Sequence, residues 1–201
     1  MTPQAEDSAR LQHLLGELYA ERAARAQTHA AVIDLILARL QCARVSMWRF
    51  DGAGADITLL CFASKTAAGA FDNSERRLRR PEFIDTFNVL VESGIHISVD
   101  AMHDPALQPM RESYLVANNV VSMLDAAFVL NNRAYGMVCC EEHHRREWKQ
   151  SDAFALRGIV NKLALLMSNA PDQALVSAPS LPLHVVLEEP ETPGATNDRR
   201  R

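Results

Sequence analysis

Two pairs of apolar segments, each joined by a short polar turn, constrain the fold of this chain most strongly. The four segments are residues 44–50, 57–63, 120–130 and 134–141. Asp51–Gly54 joins the first pair, and Asn131–Asn132 joins the second. Apolar residues in short runs or in alternation are typical of strands, and glycine and asparagine tolerate the backbone angles of tight turns. We therefore predict two antiparallel hairpins.

Helical spacing of apolar residues surrounds and separates these hairpins. It occurs in residues 28–41, 81–93 and 151–168. Pro81 suits a first helical turn and Gly94 suits a helix end, whereas Ser151 is expected to cap the last helix. Thr28 either caps the first of these helices or lies at a weak joint in a longer helix from Ala5.

The order of these elements predicts an α+β domain. It runs helix, two strands, helix, a short strand at 95–99, a crossover at 100–119, two strands and a final helix. Residues 64–80 are polar, and we predict a loop there. Hairpins with helices at both ends favour an antiparallel sheet of five to six strands with helices packed against it.

The two ends of the chain differ from this middle part. We divide the chain into an N-terminal helical extension (1–27), a domain (28–168) and a tail (169–201). Five of the nine prolines fall in the tail, and its polar composition predicts disorder. One apolar patch, Leu181–Leu187, is expected to dock as a strand or on a partner. We expect the tail to be dispensable for folding.

Composition narrows the class of protein. A chain of 201 residues is long enough for one domain with a substantial core. A net charge of -4 argues against a nucleic-acid partner. The sequence contains neither a signal peptide nor an apolar run of membrane-spanning length, so we expect a cytoplasmic protein with no membrane partner. Its four cysteines are too few and unevenly spaced for a disulfide scaffold, and we expect reduced thiols.

Five segments resemble successive parts of one known domain, the GAF domain. Residues 43–51 (ARVSMWRFD) resemble its first strand, and residues 100–114 (DAMHDPALQPMRESY) resemble its crossover. Residues 121–129 and 132–141 resemble its fourth and fifth strands, and residues 148–155 resemble the start of its last helix. The resemblance covers residues 28–168, and it is closest to GAF domains of bacterial sensor kinases and cyclic-dinucleotide signalling proteins.

The resemblance implies a ligand-sensing, dimerising module with a GAF-like fold. Its N- and C-terminal helices would pack on one face of the sheet, and its crossover helices and loops on the other. A pocket would lie between the sheet and the crossover. We expect the following residues to bind the ligand: Phe62, Ser64, Phe83, Phe87, Asp100, Tyr114, Met123 and Asp125. The same residues would instead fill a closed core if the domain has no open pocket.

The segment Cys139–His144 (CCEEHH) is the densest group of possible metal ligands in the sequence. All six residues can ligate a transition metal. On a strand, however, consecutive ligands on one face lie about 6.6 Å apart. The sequence has no Cys-x-x-Cys and no second Cys/His pair to complete a tetrahedral site. We expect buried cysteines and no metal.

Other cofactors of GAF-like proteins find little support. The phytochrome-like branch attaches a bilin through a cysteine in or near the crossover, and no cysteine lies between Cys61 and Cys139, so we expect no covalent bilin. Only His96 and His103 stand where a haem would need a histidine. His96 alternates with apolar neighbours on a short strand and is expected to face solvent, so we expect no haem. Asn161-Lys162 resembles part of a cyclic-nucleotide motif but lies on the last helix. The cofactor therefore stays unknown.

Enzymatic motifs are also missing from the sequence. It contains no nucleophile elbow, P-loop or paired-carboxylate motif. A free methionine sulfoxide reductase needs mobile thiols, whereas Cys61, Cys139 and Cys140 fall on predicted strands. Glu75–Arg80 concentrates four arginines; we expect a solvated loop there, which could also contact an anion.

Three functional hypotheses follow from these observations. The first is a small-molecule-sensing GAF module in bacterial signal transduction that signals in trans to a partner protein. The second is a degenerate GAF domain with a filled pocket that serves as a dimerisation or adaptor domain. The third is a redox or metal-dependent GAF enzyme. We expect a homodimer, because apolar residues exceed one helix face at Leu165, Leu166 and Met167 and form a second stripe at Leu11, Leu14, Leu15 and Leu18.

Overall fold

The computed structural model describes residues 22–69, 71–72, 76–168 and 179–182. Its strands are β1 (Arg44–Asp51), β2 (Thr58–Thr66), β3 (Phe71–Asp72), β4 (Arg76–Arg79), β5 (Ile95–Ser98), β6 (Ser122–Leu130), β7 (Arg133–Glu142) and β8 (Leu181–Pro182). Its α-helices are α1 (Arg22–Leu40), α2 (Arg80–Ser93) and α3 (Gln150–Ser168). Shorter 3₁₀ segments span Gly54–Asp56 and Pro105–Met110, and a π-helical segment spans Arg111–Val116.

The strands form one antiparallel sheet. Its main order is β3-β2-β1-β7-β6-β5, with β4 paired to β2 and β8 paired to β7. Both predicted hairpins are present, β1 with β2 and β6 with β7. The predicted α+β class is therefore confirmed. No helix among the described residues is long and apolar enough to cross a bilayer.

Alternating side chains divide the sheet into two packed faces. We call the face covered by α1 and α3 the helix face, and the face covered by α2 and the crossover (residues 100–119) the crossover face. In β1, Val45 packs on the helix face, whereas Trp48 and Phe50 pack on the crossover face. The sheet is therefore buried on both sides. The crossover face is the one on which the family resemblance places a ligand pocket.

Arg146 fastens the helix face at one end. Its guanidinium donates to the Leu40 carbonyl at the end of α1 and to the Glu142 and Asp152 carboxylates. The guanidinium also lies over the indole of Trp148, 4.1 Å from the ring centroid. One cation thus joins the last carbonyls of α1 to the end of β7 and the first turn of α3.

Several backbone irregularities fall where the sequence indicated them, and the structure adds others. Asn131 and Asn132 have φ angles of 48° and 59°, and Gly94 ends α2 at 74°. One added feature is a bulge, since Met47 pairs with Ala63 but Trp48 pairs with Cys61. Bulges insert an extra residue that re-aims neighbouring side chains. Here the extra residue is Phe62.

Two local predictions were wrong, and the alternatives at Thr28 are decided. Residues 64–80 are not simply a loop, because β2 extends to Thr66 and Arg76–Arg79 pairs with it as β4. Thr28 lies within a continuous helix and does not start a new one, since α1 runs through it without a break. The final helix begins at Gln150, and the Asp152 carboxylate accepts the Lys149 backbone N–H at its start, so Ser151 is not the cap.

Part of the predicted tail pairs with the sheet. Leu181 pairs with Ala134 of β7 and is buried against the crossover-face core. The Arg133 guanidinium donates to the hydroxyl and the carbonyl of Ser180. The apolar patch therefore docks as a strand at Leu181–Pro182, while the rest of the tail and residues 1–21 lie outside the described residues.

We expect deletion of residues 172–201 to lower Tm by less than about 4 °C. Burial of one leucine stabilises by about 1.5–3 kcal/mol, but fixing each docked residue costs about 1–2 kcal/mol, so docking is nearly neutral. Leu181→Ala should lower Tm no more than the deletion does. Differential scanning calorimetry of both variants checks this, and a drop above about 4 °C for the deletion would contradict it.

Candidate functional site

A buried ion pair lies at the centre of the crossover face. Arg44 begins β1 and Glu141 lies directly across from it on β7. The Arg44 guanidinium donates to Glu141 Oε2, and it also donates to Asn118 Oδ1 at 2.9 Å and to the Tyr114 hydroxyl at 3.0 Å. The pair therefore binds the sheet to the end of the crossover.

Neutral donors complete the coordination of the Glu141 carboxylate. Its Oε1 accepts the Tyr114 hydroxyl at 2.6 Å and the Ser46 hydroxyl at 3.0 Å. Trp48 Nε1 donates to Ser46 Oγ at 2.8 Å. We call Arg44, Ser46, Trp48, Tyr114, Asn118 and Glu141 the interior network. Both carboxylate oxygens are satisfied by the protein itself, which is the condition for burying a charge.

Burial and charge pull the ionisable groups of this network in different directions. Burial raises the pKa of Glu141, and the Arg44 guanidinium opposes that rise. Burial acts to lower the pKa of Arg44, but the effect of the Glu141 carboxylate is larger, so the pKa of Arg44 is raised. Burial, followed by the Glu141 charge, raises the pKa of Tyr114 well above its usual range. Tyr114 is therefore a neutral hydroxyl that donates a hydrogen bond to Glu141.

Aromatic side chains fill the space beside the network. Phe50 contacts Phe87 edge-on at 4.8 Å between ring centroids, and it lies 5.9 Å from Phe83. Trp48 meets Tyr114 edge-on at 5.2 Å. These five side chains are each at most 3% exposed. The region between the sheet and the crossover is thus occupied by the chain's own aromatic rings.

A second polar cluster joins β5, β6 and the crossover. His96 Nδ1 lies 3.1 Å from Asp125 Oδ2, and His96 Nε2 lies 3.1 Å from Asp104 Oδ2. Asp125 is fully buried, and its Oδ1 has no hydrogen-bond partner among the residues that the structure describes. The prediction that His96 faces solvent was wrong, because parity on β5 turns His96 inward and leaves Ile97 exposed. With both nitrogens engaged by carboxylates, His96 does not fit a haem axial ligand.

The structure brings six of the eight predicted ligand-binding residues to one face. Phe83, Phe87, Tyr114 and Met123 lie in the crossover-face core, and Asp125 lies beside His96 on the same face. Ser64 shares that face, since it pairs directly with Ser46 of the interior network.

Phe62 and Asp100 lie elsewhere. The bulge in β2 places Phe62 on the helix face, where it meets the His29 ring edge-on. Asp100 stands near the surface, where it accepts Arg145 NH1 at 2.5 Å and His103 Nδ1 at 3.0 Å. The hydrogen bond from His103 lowers the pKa of Asp100. These two residues do not adjoin the interior network.

The sequence prediction missed Arg44, Glu141 and His96. Strand parity could have indicated Arg44 and Glu141, because each is in register with buried apolar residues of its own strand. It could not have indicated His96, because the apolar residues of β5, Ile95 and Ile97, have the opposite parity. Glu141, for example, follows Cys139 at an interval of two, and a carboxylate at such a position needs a buried cation. Their partners, which come from β6 and the crossover, are not visible in any local pattern.

The Cys139–His144 segment separates its possible ligands. Cys139 lies on the crossover face and Cys140 on the helix face. Glu141 is held by Arg44, Glu142 by Arg146, and the His143 ring by the Asn119 carbonyl. Within the described part of the chain, no group of three potential ligands is arranged to hold a metal ion.

Comparison with known proteins identifies the fold's family. A family model of the GAF domain matches residues 25–167. The chain therefore belongs to the GAF domain family. A sequence comparison with curated proteins gave no significant match.

Solved structures of similar fold include light-sensing GAF domains. The phycocyanobilin-bound GAF domain from a cyanobacterial phytochrome superposes with a TM-score of 0.65 at 16% identity, covering 84% of this chain and 95% of that one. A far-red cyanobacteriochrome photoreceptor gives 0.60 at 14% identity, covering 84% and 92%. The chromophore-binding domain of an unusual bacteriophytochrome from R. palustris gives 0.61 at 12% identity, covering 84% of this chain. This chain spans 62% of that domain and 37% of a longer R. palustris bacteriophytochrome structure.

The cysteines of this chain do not fit a covalently held bilin. All four, Cys42, Cys61, Cys139 and Cys140, are unpaired and buried, and the crossover contains none. Burial raises the pKa of Cys61 to about 11, and it raises the pKa values of Cys139 and Cys140 well above the usual range. Buried neutral thiols are poor nucleophiles.

We expect Arg44→Met and Glu141→Leu each to lower the free energy of unfolding by about 3–5 kcal/mol, because each leaves a buried charge without its partner. The double variant should lose clearly less than the sum of the two. Urea denaturation of the four proteins measures this coupling.

Arg77 and Asp51 supply the matched control. They form an ion pair between β4 and β1 whose side chains are 48% and 41% exposed. Asp51→Asn should change stability by less than about 1 kcal/mol. Additive losses at Arg44 and Glu141, as small as those at the exposed pair, would show that the network is not a buried charge cluster.

Proposed function

We propose that this chain is a regulatory GAF module that works as a homodimer, with an interior filled by its own side chains. It would transmit a change in the packing of its terminal helices to a partner protein in bacterial signal transduction. That the solved neighbours include a photoreceptor supports a sensory, regulatory role for this fold. We also propose a cytoplasmic location, which four unpaired cysteines support.

The observation that carries this proposal is that the interior network satisfies its own carboxylate: both oxygens of Glu141 already accept hydrogen bonds from the protein. A ligand site normally presents a few polar groups that a ligand can satisfy. Here the Glu141 carboxylate already accepts hydrogen bonds from Arg44, Tyr114 and Ser46. A ligand in this region would have to displace a buried charge pair and break these hydrogen bonds. A filled domain that acts through protein contacts is therefore the better match to the geometry.

The state of the thiols favours a binding module over an enzyme. A thiol-dependent reductase needs an accessible thiolate. Burial raises the pKa of Cys61 to about 11 and disfavours its thiolate at neutral pH. Cys139 is fully buried beside Asp125, and burial and the Asp125 charge both raise its pKa. We propose that the protein catalyses no thiol chemistry.

The outer surface of α3 supports a dimer. Phe154 is 63% exposed, and Gly158 follows it by one helical turn. Among the described residues, a Cβ atom at Gly158 would meet nothing within 4 Å, so packing against this part of the chain does not require glycine there. Glycine inside a helix costs about 1 kcal/mol relative to alanine. Close approach of the same helix from a second copy, with Phe154 over the Gly158 gap, would offset that cost.

Leu165 also belongs to this surface, as it is 59% exposed. The side chains of Leu166 and Met167, and the N-terminal leucines from which a dimer was predicted, lie outside the described residues. The dimer proposal therefore rests on Phe154 and Gly158.

One observation favours a small-molecule sensor as a second candidate. Asp125 Oδ1 is fully buried on the crossover face without a hydrogen-bond partner. An unsatisfied buried acceptor is costly, and a donor from a small ligand would satisfy it. A ligand bound there would be a hydrogen-bond donor, and its affinity would fall on Asp125→Asn.

Native mass spectrometry of protein purified from its own host tests the two candidates together. We expect twice the 22.3 kDa chain mass and no additional bound mass. A stoichiometric small molecule that is lost on Asp125→Asn would overturn the filled-interior proposal in favour of the sensor. A chain that stays monomeric at tens of micromolar would overturn the dimer.

Phe154→Lys locates the interface. It should give folded monomers, because a charge would be buried between two copies of α3. Ala38→Lys on α1 is the matched control, as it adds the same charge at another exposed helical position and should leave the dimer intact. Light scattering reports the mass and circular dichroism reports the fold. Dimers that persist in Phe154→Lys would exclude this face of α3.

A further inference from the structure

We propose that His96 is a pH-dependent latch that holds the crossover against the sheet and releases it as the pH rises. The inference rests on the Asp125–His96–Asp104 cluster and is independent of the proposed dimer and of the filled interior. The latch joins three elements, namely β5, β6 and the start of the crossover.

Contacts at both ring nitrogens set the charge of the latch. Nδ1 and Nε2 of His96 each lie 3.1 Å from a carboxylate oxygen, one from Asp125 and one from Asp104. A neutral imidazole carries one N–H, so one of its nitrogens would direct a lone pair at a carboxylate. Only the imidazolium donates to both aspartates. The two distances therefore fit a protonated His96 between two ionised aspartates.

Asp104 connects this charge to the fold of the crossover. Its Oδ1 accepts the backbone N–H of Ala106 at 3.0 Å, which caps the 3₁₀ segment Pro105–Met110. On the other side of this segment, Thr86 of α2 donates its hydroxyl to the Ala106 carbonyl at 2.7 Å. Leu107 then enters the crossover-face core, where it is fully buried. Release of Asp104 would thus weaken the cap of the segment that seats Leu107.

Two carboxylates, those of Asp125 and Asp104, contact the His96 ring. Burial acts to lower the pKa of His96, but the Asp125 and Asp104 carboxylates outweigh it and raise the pKa above the usual 6.5. Behind Asp125, β7 contributes the Cys139 thiol, which the Asp125 charge also affects.

The remaining elements around β5 bring charges that lie further out. On α2, which packs against β5, the carboxylates of Asp85 and Glu92 are exposed. On the opposite face of the sheet, α3 brings the Arg157 guanidinium to Gly94. The two aspartates therefore dominate the titration of His96.

The direction of the pH effect follows from that raised pKa. Protonated His96 stabilises the closed crossover fully at pH values below the pKa of an unrestrained histidine, about 6.5. That stabilisation is lost as the pH rises through the higher pKa of the closed state. The crossover should therefore open as the pH rises through the raised pKa of His96, whereas mild acid should hold it closed.

Hydrogen exchange and histidine titration of the full chain test the latch. By NMR, the His96 ring should titrate above 6.5. The amide protection of Ala106 and Leu107, corrected for the intrinsic pH dependence of exchange, should fall severalfold as the pH passes this midpoint. A His96 ring that titrates at or below 6.5, or protection that is unchanged across the range, would overturn the proposal.

Variants separate the latch from a general effect of alkaline pH. His96→Gln should abolish the pH-dependent part of the protection. His103→Gln is the matched control, because His103 also contacts an aspartate but is 81% exposed, and it should behave as the wild type. A fall in protection that persists in His96→Gln, or that vanishes in His103→Gln, would contradict the assignment.

Asp104→Asn keeps the proposal testable if His96→Gln does not fold. The asparagine carbonyl can still accept the Ala106 N–H. The substitution removes one of the two negative charges that favour the imidazolium form of His96. The midpoint of the His96 titration and the pH at which protection falls should both move to lower values together. A midpoint that moves without the protection, or protection that moves without the midpoint, would separate the histidine from the crossover and refute the latch.

Discussion

The buried pair of Arg44 and Glu141 is the interaction on which the arrangement of this domain depends. It spans the contact between β1 and β7 at the centre of the sheet, and through Asn118 and Tyr114 it also holds the end of the crossover. A buried charge whose partner is removed is strongly destabilising. The position of the crossover over the sheet is therefore coupled to the register of the two central strands.

The domain resembles bilin-bound GAF domains in fold, but its interior contains the chain's own side chains. The fold leaves a space between the sheet and the crossover, and side-chain chemistry determines what occupies it. In this chain Trp48, Tyr114 and the phenylalanines of β1 and α2 occupy it, and the ion pair satisfies its own polar atoms. All four thiols are buried, and those of Cys61, Cys139 and Cys140 lie within strands. The same backbone arrangement would suit the regulation through protein contacts that we propose.

Sequence reasoning predicted the elements of this fold better than it predicted the contacts between them. Turn residues carry local information, so Asn131, Asn132 and Gly94 were placed correctly from their backbone preferences. Strand β4 was missed because its arginines are typical of a solvated loop. Its strand conformation comes from backbone pairing with β2. Phe62 was assigned to the ligand side because strand alternation ignores a bulge, and a bulge is set by pairing with another strand.

The two polar clusters of the crossover face differ in a way that indicates where this domain can change. The interior network is held by an arginine, which keeps its charge at any physiological pH, and its carboxylate is fully satisfied. The His96 cluster is held by the one side chain that titrates near neutrality, and it leaves Asp125 Oδ1 without a partner. Both clusters fasten the same crossover, one at its beginning through Asp104 and the other at its end through Asn118. A rise in pH would therefore loosen the beginning of the crossover first, while the Arg44–Glu141 pair keeps its end and the central strands in place.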